Sequence, residues 1–498
     1  MSDQQSSYRQ IFEATSLFGG VQAFQIIIAI IRSKLVAVLL GPAGMGINGL
    51  LNSTTGMIAS LTNFGLGTSA IKNVAAAHAT GDAKRIGTVV GVMRKLVWIT
   101  GTIGALVTLV FSSWLSELTF GNRDYTLAFV WISVTLLLNQ ISTGQSVVLR
   151  GMRQLKYMAQ ASLSGSVLGL MVSVPIYYKW GIDGIVPAII VSSVLSLLIT
   201  WYFSRKVKTE KVEVNKETVI NEGKGMLTMG IMLSLSGIIS LAASYVVRIY
   251  ISNTGGVDQV GLFNAGFAII NTYVGMIFTA MSTDYYPRLS GVSNDNRKAA
   301  ELINQQSEIA ILILAPVLTI FIIFIQFAVI LLYSTQFVAV NGMIQWAALG
   351  MYFKAASWAI AFIFLAKGAS RLYFWNELIA NIYGLGFNII GYRLGGLNGL
   401  GISFLASYII YLAQVFFLTR YNYAFSLHPT FVKIFVIQLF FGIGSFLIIR
   451  FMPAPQAYFA GAIVIAISSV ISFRELDKRL GLKSIWQGVK NKLNDRKK

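Results

Sequence analysis

Gly41-Pro-Ala-Gly-Met-Gly46 returns later in the chain as Gly256-Val-Asp-Gln-Val-Gly261, displaced by 215 residues. The echo extends in both directions. Lys84-Arg85 after Asp82 is answered by Arg297-Lys298 after Asp295, at a shift of 213. Arg150-Gly151 with Tyr157 is answered by Lys367-Gly368 with Tyr373, and Tyr178-Lys179-Trp-Gly181 by Tyr392-Arg393-Leu-Gly395. Four matches in one order at a nearly constant shift indicate an internal duplication. In a membrane protein, two similar bundles can rock about a site held between them.

The composition places the duplicated chain in a bilayer. Of 498 residues, 55% are hydrophobic and only 12% are charged, against roughly 25% charged in soluble domains. Fourteen apolar stretches are long enough to cross a membrane, at about 12–40, 45–71, 96–115, 125–149, 157–178, 182–203, 226–252, 261–283, 309–332, 341–366, 373–392, 398–418, 433–452 and 456–473. Each exceeds or approaches the ~20 residues that span about 30 Å of hydrocarbon. The short alternating segments of a β-barrel are absent from the sequence. The first apolar stretch is long and lacks a small-residue cleavage site, so it is expected to remain as a crossing rather than be removed as a signal peptide.

Basic residues set the expected orientation. With the N-terminus in the cytoplasm, 31 Lys and Arg fall in inside segments and only Arg123, Lys179, Arg393 and Arg450 fall outside. This asymmetry predicts both termini inside, and it accounts for most of the formal net charge of +20. The charge is therefore read as topology and not as a nucleic-acid footprint. Six crossings separate the repeats, an even number, so the halves share one polarity and are expected to be parallel repeats.

The fold expected is an all-α polytopic membrane protein of fourteen helices: an N-terminal lobe over 1–203, a polar cytoplasmic linker over 204–225, a C-terminal lobe over 226–420, two further helices over 421–473 and a basic tail over 474–498. Leu476, Leu480, Ile485, Val489 and Leu493 recur in that tail at helical spacing. An amphipathic helix on the anionic inner leaflet fits the pattern. A solvated tail anchoring the last crossing fits it equally.

Several chemistries lack their residues. There is no cysteine, and His78 and His428 lie far apart in expected cytoplasmic loops, so neither a metal centre nor a cofactor is expected. No Gly-rich loop ends in Gly-Lys-Ser/Thr, which removes P-loop ATP hydrolysis. External loops are short, as between the seventh and eighth crossings at about 253–260. A polytopic enzyme usually needs a large external domain or loop for its chemistry, so no enzymatic activity is expected.

Charges inside the crossings point to a site. Arg32 and Lys34 lie in the first crossing, Arg248 in the seventh and Lys354 in the tenth. On insertion scales each costs about 2.5–3.5 kcal/mol near a helix centre, and such residues face a bundle interior or an aqueous cavity. Arg32 and Arg248 precede the paired glycines Gly41 and Gly256 by nine and eight residues, which makes them near-equivalent in the two repeats. Snorkelling to the outer interface is the alternative, over a reach of roughly 12–14 Å. Glu13 and Glu377 are the clear acids within crossings. A cavity with more fixed cations than anions attracts an anion, and the planar fork of arginine suits phosphate. The same bias argues against an exporter of organic cations. Gln25 and Asn52 lie in the first two crossings. Their amides could meet sugar hydroxyls or tie helices together.

Gly41-Pro-Ala-Gly-Met-Gly46 after a first crossing, Asn63-Phe-Gly-Leu-Gly67 closing the second, and Gly81-Asp82 before a basic pair resemble the start of a Wzx-type O-antigen flippase, within the multidrug/oligosaccharidyl-lipid/polysaccharide (MOP) exporter superfamily. Tyr286-Pro287-Arg288-Leu289 in the second half is similar to the same superfamily. The two extra helices are similar to those of lipid II flippases, where they form a groove for the lipid tail.

The resemblance implies a flippase of the bacterial inner membrane. It would move a polyprenyl-pyrophosphate-linked oligosaccharide from the cytoplasmic to the outer leaflet by alternating access, for O-antigen or a related surface polysaccharide. A lipid II flippase and a cation-coupled multidrug exporter are the other members it allows. Under it, Arg32, Lys34, Arg248 and Lys354 are the expected pyrophosphate contacts, Gln25 and Asn52 the sugar contacts, and Glu13 or Glu377 the coupling-ion site. The expected partners are the lipid-linked sugar and membrane lipid, with other polysaccharide-assembly proteins left open and no nucleic acid.

Overall fold

Glycines of positive φ, among them Gly41, Gly65, Gly81, Gly121 and Gly256, mark many of the turns and breaks that divide this apolar chain into helices. The structure, a computed structural model, describes residues 3–210 and 212–480, with side chains from Phe24 onward except at 155, 232, 233, 236, 273, 280, 283, 284 and 480. The described residues form fifteen α-helices and no strand. They are α1 (Asp3–Thr62), α2 (Leu66–Ala79), α3 (Ala83–Val110), α4 (Ser112–Phe120), α5 (Thr126–Gly151), α6 (Leu155–Trp180), α7 (Ile185–Arg205) and α8 (Lys216–Gly255). There follow α9 (Val257–Ala268), α10 (Gly275–Gly291), α11 (Asn296–Leu332), α12 (Asn341–Ala366), α13 (Ser370–Tyr423), α14 (Pro429–Phe451) and α15 (Gln456–Leu480). Ten helical segments among the described residues are long and apolar enough to cross a membrane, so the chain is a multi-pass membrane protein.

The two longest helices are each broken. Gly41 (φ 63°) interrupts α1, and Gly395–Gly396 (φ −141° and 54°) interrupt α13. Unbroken, the 54 residues of α13 would extend about 80 Å, far beyond a bilayer. Positive φ falls on pairs of positions 215 apart: Gly41 with Gly256, Arg153 with Gly368, and Gly181 with Gly396. Polar caps start the helices at loops. The Asp82 carboxylate accepts from the Lys84 amide at 2.9 Å, and Asp295 accepts from Arg297 and Lys298 at 3.0 and 3.1 Å. These bonds satisfy amide donors that have no partner within the helix.

The chain forms two compact units, Met1–Leu262 with Leu332–Gln336, and Phe263–Leu331 with Phe337–Lys498. In the first, Val89, Val92 and Met93 of α3 pack with Val147 and Val148 of α5 and with Val74 of α2. In the second, Tyr285 and Leu289 of α10 pack with Ile360 and Phe364 of α12 and Val415 of α13.

The polar linker does more than connect. Val207 and Val214 are buried in the first unit's core, and Lys95 Nζ donates to the Val214 carbonyl. A methyl added at Gly87 would stand 2.6 Å from the Glu210 carbonyl oxygen, and one at Gly91 would stand 2.6 Å from the Val214 side chain. Two glycines a helical turn apart on α3 thus make a channel in which the strap lies, and Arg85 pairs with Glu222 beyond it. In the basic tail, helix is described only as far as Leu480; Ile485, Val489 and Leu493 lie outside the described residues, as does the side chain of Glu13.

Candidate functional site

Most residues of α1 that enter the bilayer are apolar, so the surroundings of its two cations decide what they do. Arg32 lies nine residues, about two and a half turns, before the break at Gly41. Its guanidinium lies near Tyr177 on α6, close enough to act on that side chain electrostatically. Tyr177 is itself buried, with 2% of its surface exposed. Lys34, two residues on, donates from Nζ to the Tyr333 carbonyl oxygen at 2.5 Å. That carbonyl follows the end of α11, and it draws the lysine toward a helix terminus, where partial negative charge favours a cation.

Arg248 is half-buried on α8. Its Nη1 donates to the Ser244 carbonyl oxygen at 3.0 Å and also to the Ser244 hydroxyl one turn earlier. A guanidinium carries five donors in a rigid fork. Anchoring one nitrogen on Ser244 orients the fork. Arg32, Lys34 and Arg248 all belong to the first unit, and α1 packs against α8 there.

Tyr245, one turn before Arg248, meets Thr119 at 3.0 Å between hydroxyls, and Thr119 meets Thr54 at 3.3 Å. This buried chain ties α8 to α4 and to the second part of α1, and it fixes the register of the helix that carries Arg248. Asn52 is exposed and donates to both oxygens of Asn48, at 2.7 and 2.8 Å. Gln25 lies half-buried on α1.

Lys354 belongs to the second unit, at the middle of α12. Its Nζ donates to Asn271 Oδ1 at 3.2 Å and lies over the rings of Tyr408 and Phe404, 5.2 and 5.7 Å from their centres. Two aromatic faces attract the ammonium through their quadrupoles. Asn271 sits in the π-helical stretch Ile269–Val274 between α9 and α10. Such local bulges recur at functional sites.

Glu377, also in the second unit, is held in a polar cluster where the two parts of α13 meet. Tyr411 Oη donates to Glu377 Oε1 at 2.6 Å and Asn376 Nδ2 donates to the same oxygen at 3.2 Å. Gln414 Nε2 in turn donates to the carbonyl and side-chain oxygens of Asn376, at 2.9 and 2.8 Å. Tyr408 links the two polar groups of this unit, since its ring carries Lys354 on one side and meets Tyr411 edge-on at 6.1 Å.

Tyr177, Ser244, Tyr408 and Tyr411 were not singled out by sequence reasoning. Tyr177 stands beside the repeated Tyr178-Lys179 pair, and Ser244 lies one turn before an intramembrane arginine. Both signals are visible only once a helix partner is sought at that spacing. The two histidines have ordinary positions: His428 Nδ1 accepts from the Thr430 amide at 3.3 Å as the cap of α14, and His78 is exposed.

Residues 35–341 match the sequence pattern of the polysaccharide biosynthesis protein family. The lipid III flippase of Escherichia coli strain K12 is 24% identical over 387 residues, covering 76% of this chain and 90% of that protein. The structure superposes on a lipid II flippase, MurJ, in an inward closed conformation, with a TM-score of 0.67 at 14% identity over 92% of this chain and 99% of that one. It also superposes on an inward-facing multidrug resistance transporter of the MATE family, described as a member of the MOP superfamily, with a TM-score of 0.65 at 16% identity over 82% and 96% of the two chains. The chain belongs to the polysaccharide biosynthesis protein family and is a multi-pass membrane protein that shares the fold of these two solved structures.

Proposed function

We propose that this protein is a flippase that carries a polyprenyl-pyrophosphate-linked oligosaccharide from the cytoplasmic to the outer leaflet of the bacterial inner membrane. The observation that carries the reading is the pair Arg32 and Arg248. Two guanidiniums sit within apolar helices of one unit, Arg32 near Tyr177 and Arg248 bonded to Ser244. A diphosphate is the lipid-borne group best matched to two oriented forks, each able to form paired charge-assisted hydrogen bonds. Lys34 and Lys354 add positive field, and Gln25 and Asn52 are the proposed sugar contacts.

Fourteen crossings, both termini inside and two parallel six-helix repeats complete the reading. The positive-φ glycine pairs Gly41/Gly256 and Gly181/Gly396, each 215 residues apart, support the duplication. Two similar lobes then open a shared cavity to alternate sides while the lipid tail stays in the bilayer.

Glu377 is the proposed coupling group. Its carboxylate gathers a tyrosine and an asparagine side chain, and Tyr408 connects that cluster to Lys354. Gain or loss of a proton there changes the net charge beside a substrate-facing lysine.

The test is translocation by the purified protein in liposomes. A fluorescent polyprenyl-pyrophosphate oligosaccharide should move between leaflets with its mass unchanged, and the rate should exceed that for an organic-cation substrate of multidrug exporters. Absence of glycolipid movement, or a change in its mass, would overturn the proposal.

A further inference from the structure

Three helices of the first unit leave a groove between them. Ile47 and Leu51 of α1, Leu127 and Trp131 of α5, and Val186 and Ile190 of α7 line a cavity of about 620 Å³. Each pair is spaced i, i+4, so each helix turns one face into the groove. Its α1 side is closed, with Leu51 only 1% exposed. Its α5 side is open, with Trp131 61% exposed. Water finds no polar partners on such walls. In a bilayer the groove is therefore filled by hydrocarbon.

The mouth of the groove is charged. Asp124 and Asp183 line the same cavity, two residues before the start of α5 and two before the start of α7. Helix α6 runs back between these two, so α5 and α7 begin at one membrane face and bring both carboxylates to it. Trp131 and the half-exposed Trp180 lie close by in sequence, as aromatic residues do at headgroup depth.

The fold uses neither acid. No side chain caps the start of α5 or of α7. Among the described residues, neither carboxylate forms an ion pair or accepts a hydrogen bond. The cations beside them are engaged elsewhere. Arg123 donates to Glu117 Oε2 at 2.9 and 2.8 Å, and Lys179 Nζ lies 5.0 Å from the centre of the Trp180 ring.

We propose that this groove binds a phospholipid with a primary ammonium headgroup, of the phosphatidylethanolamine class. An acyl chain fills the apolar part, and the ammonium lies between Asp124 and Asp183. A primary ammonium carries three N–H donors, so it can bond both carboxylates through charge-assisted hydrogen bonds. A trimethylammonium headgroup brings the charge without a donor. An anionic glycerol headgroup meets two like charges, which repel it. The apolar walls accept all three lipids alike, and the mouth ranks them. The bound lipid bridges the starts of α5 and α7 and ties both to the second part of α1.

Native mass spectrometry of the purified full chain tests the site. Phosphatidylethanolamine, phosphatidylcholine and phosphatidylglycerol with identical acyl chains are titrated separately. The unaltered protein should bind the first about tenfold more tightly than either of the others, a difference of about 1.4 kcal/mol. Asp124→Asn/Asp183→Asn protein should bind the three alike, and each single variant should fall between. Asparagine keeps the size of aspartate and both positions are exposed, so these variants should fold. Equal affinities in the unaltered protein would reduce the site to ordinary surrounding lipid and overturn the proposal. A preference that survives in the double variant would overturn it as well.

A second variant probes the apolar part. Ala128 lines the cavity, and Ala128→Leu should weaken binding of all three lipids. Unchanged binding by the folded variant would place the lipid elsewhere and overturn the site. If that variant fails to fold, the unfolding midpoint decides without it. Phosphatidylethanolamine should raise the midpoint of the unaltered protein more than phosphatidylcholine does, because a ligand bound only to the native state stabilises it. The two lipids should act equally on the double asparagine variant, and a difference that persists there would contradict the proposal. Neither measurement uses a glycolipid, so failure of this site is separable from failure of the substrate assignment.

Discussion

Arg248 spends one nitrogen of its guanidinium on Ser244, through both the hydroxyl and the carbonyl of that residue. The hydroxyl contact holds the fork in one orientation, so losing it leaves the charge in place but frees the side chain to rotate. Ser244→Ala should therefore raise the glycolipid concentration needed for half-maximal transport by a few-fold and leave the maximal rate largely intact. Tyr177→Phe should do the same through Arg32. An effect on maximal rate alone in both variants would assign these hydroxyls a different role. Glu377→Gln keeps an oxygen that can accept from Tyr411 and keeps the shape of the cluster. The variant should insert and fold, and its transport should lose dependence on an imposed proton gradient. A gradient response equal to that of the unaltered protein would remove Glu377 from the coupling step.

Helix ends carry the next level of explanation. Asp295 caps α11, and the Lys298 amide, followed by the Arg297 amide, holds its carboxyl below the ordinary aspartate range. A depressed folded-state value means that the cap stabilises the protein fully above the unfolded aspartate range. That contribution disappears as the pH falls through the depressed value. Asp295→Ala should thus lower the thermal unfolding midpoint at neutral pH, and the difference should close under acid conditions. A gap that persists or widens in acid would show that the carboxylate is not the stabilising species.

The helix breaks at Gly41 and Gly256 were legible in the sequence, because the surrounding glycines repeat. The strap was not. Residues 204–225 are rich in Lys and Glu and read as solvated linker. Yet Val207 and Val214 enter the core because Gly87 and Gly91 on α3 leave a channel for them. Two isolated valines in a charged stretch carry no periodicity, so only tertiary packing reveals their use.

At the scale of the molecule, hydropathy and charge asymmetry contain the membrane class, since the bilayer permits few ways to satisfy a buried backbone. The all-helical architecture and its membership of a polysaccharide biosynthesis family accord with that reading. The four intramembrane cations were also legible, because a charge within an apolar helix stands out at once. Their partners were not. Tyr177, Ser244 and Tyr408 are unremarkable in sequence and gain a role only when helices bring them to Arg32, Arg248 and Lys354.

The central claim is that Arg32 and Arg248 hold the diphosphate of a lipid-linked sugar during its passage. Translocation of a labelled polyprenyl-pyrophosphate oligosaccharide in liposomes, measured for Arg32→Ala, Arg248→Ala and both together, tests it most directly. A hydrogen bond to a charged group contributes about 1.5–3 kcal/mol, so each single variant should lose roughly 10–100-fold in transport at limiting substrate. The losses should be accompanied by normal insertion and an unchanged unfolding midpoint. Rates equal to those of the unaltered protein in both correctly folded single variants would contradict the account.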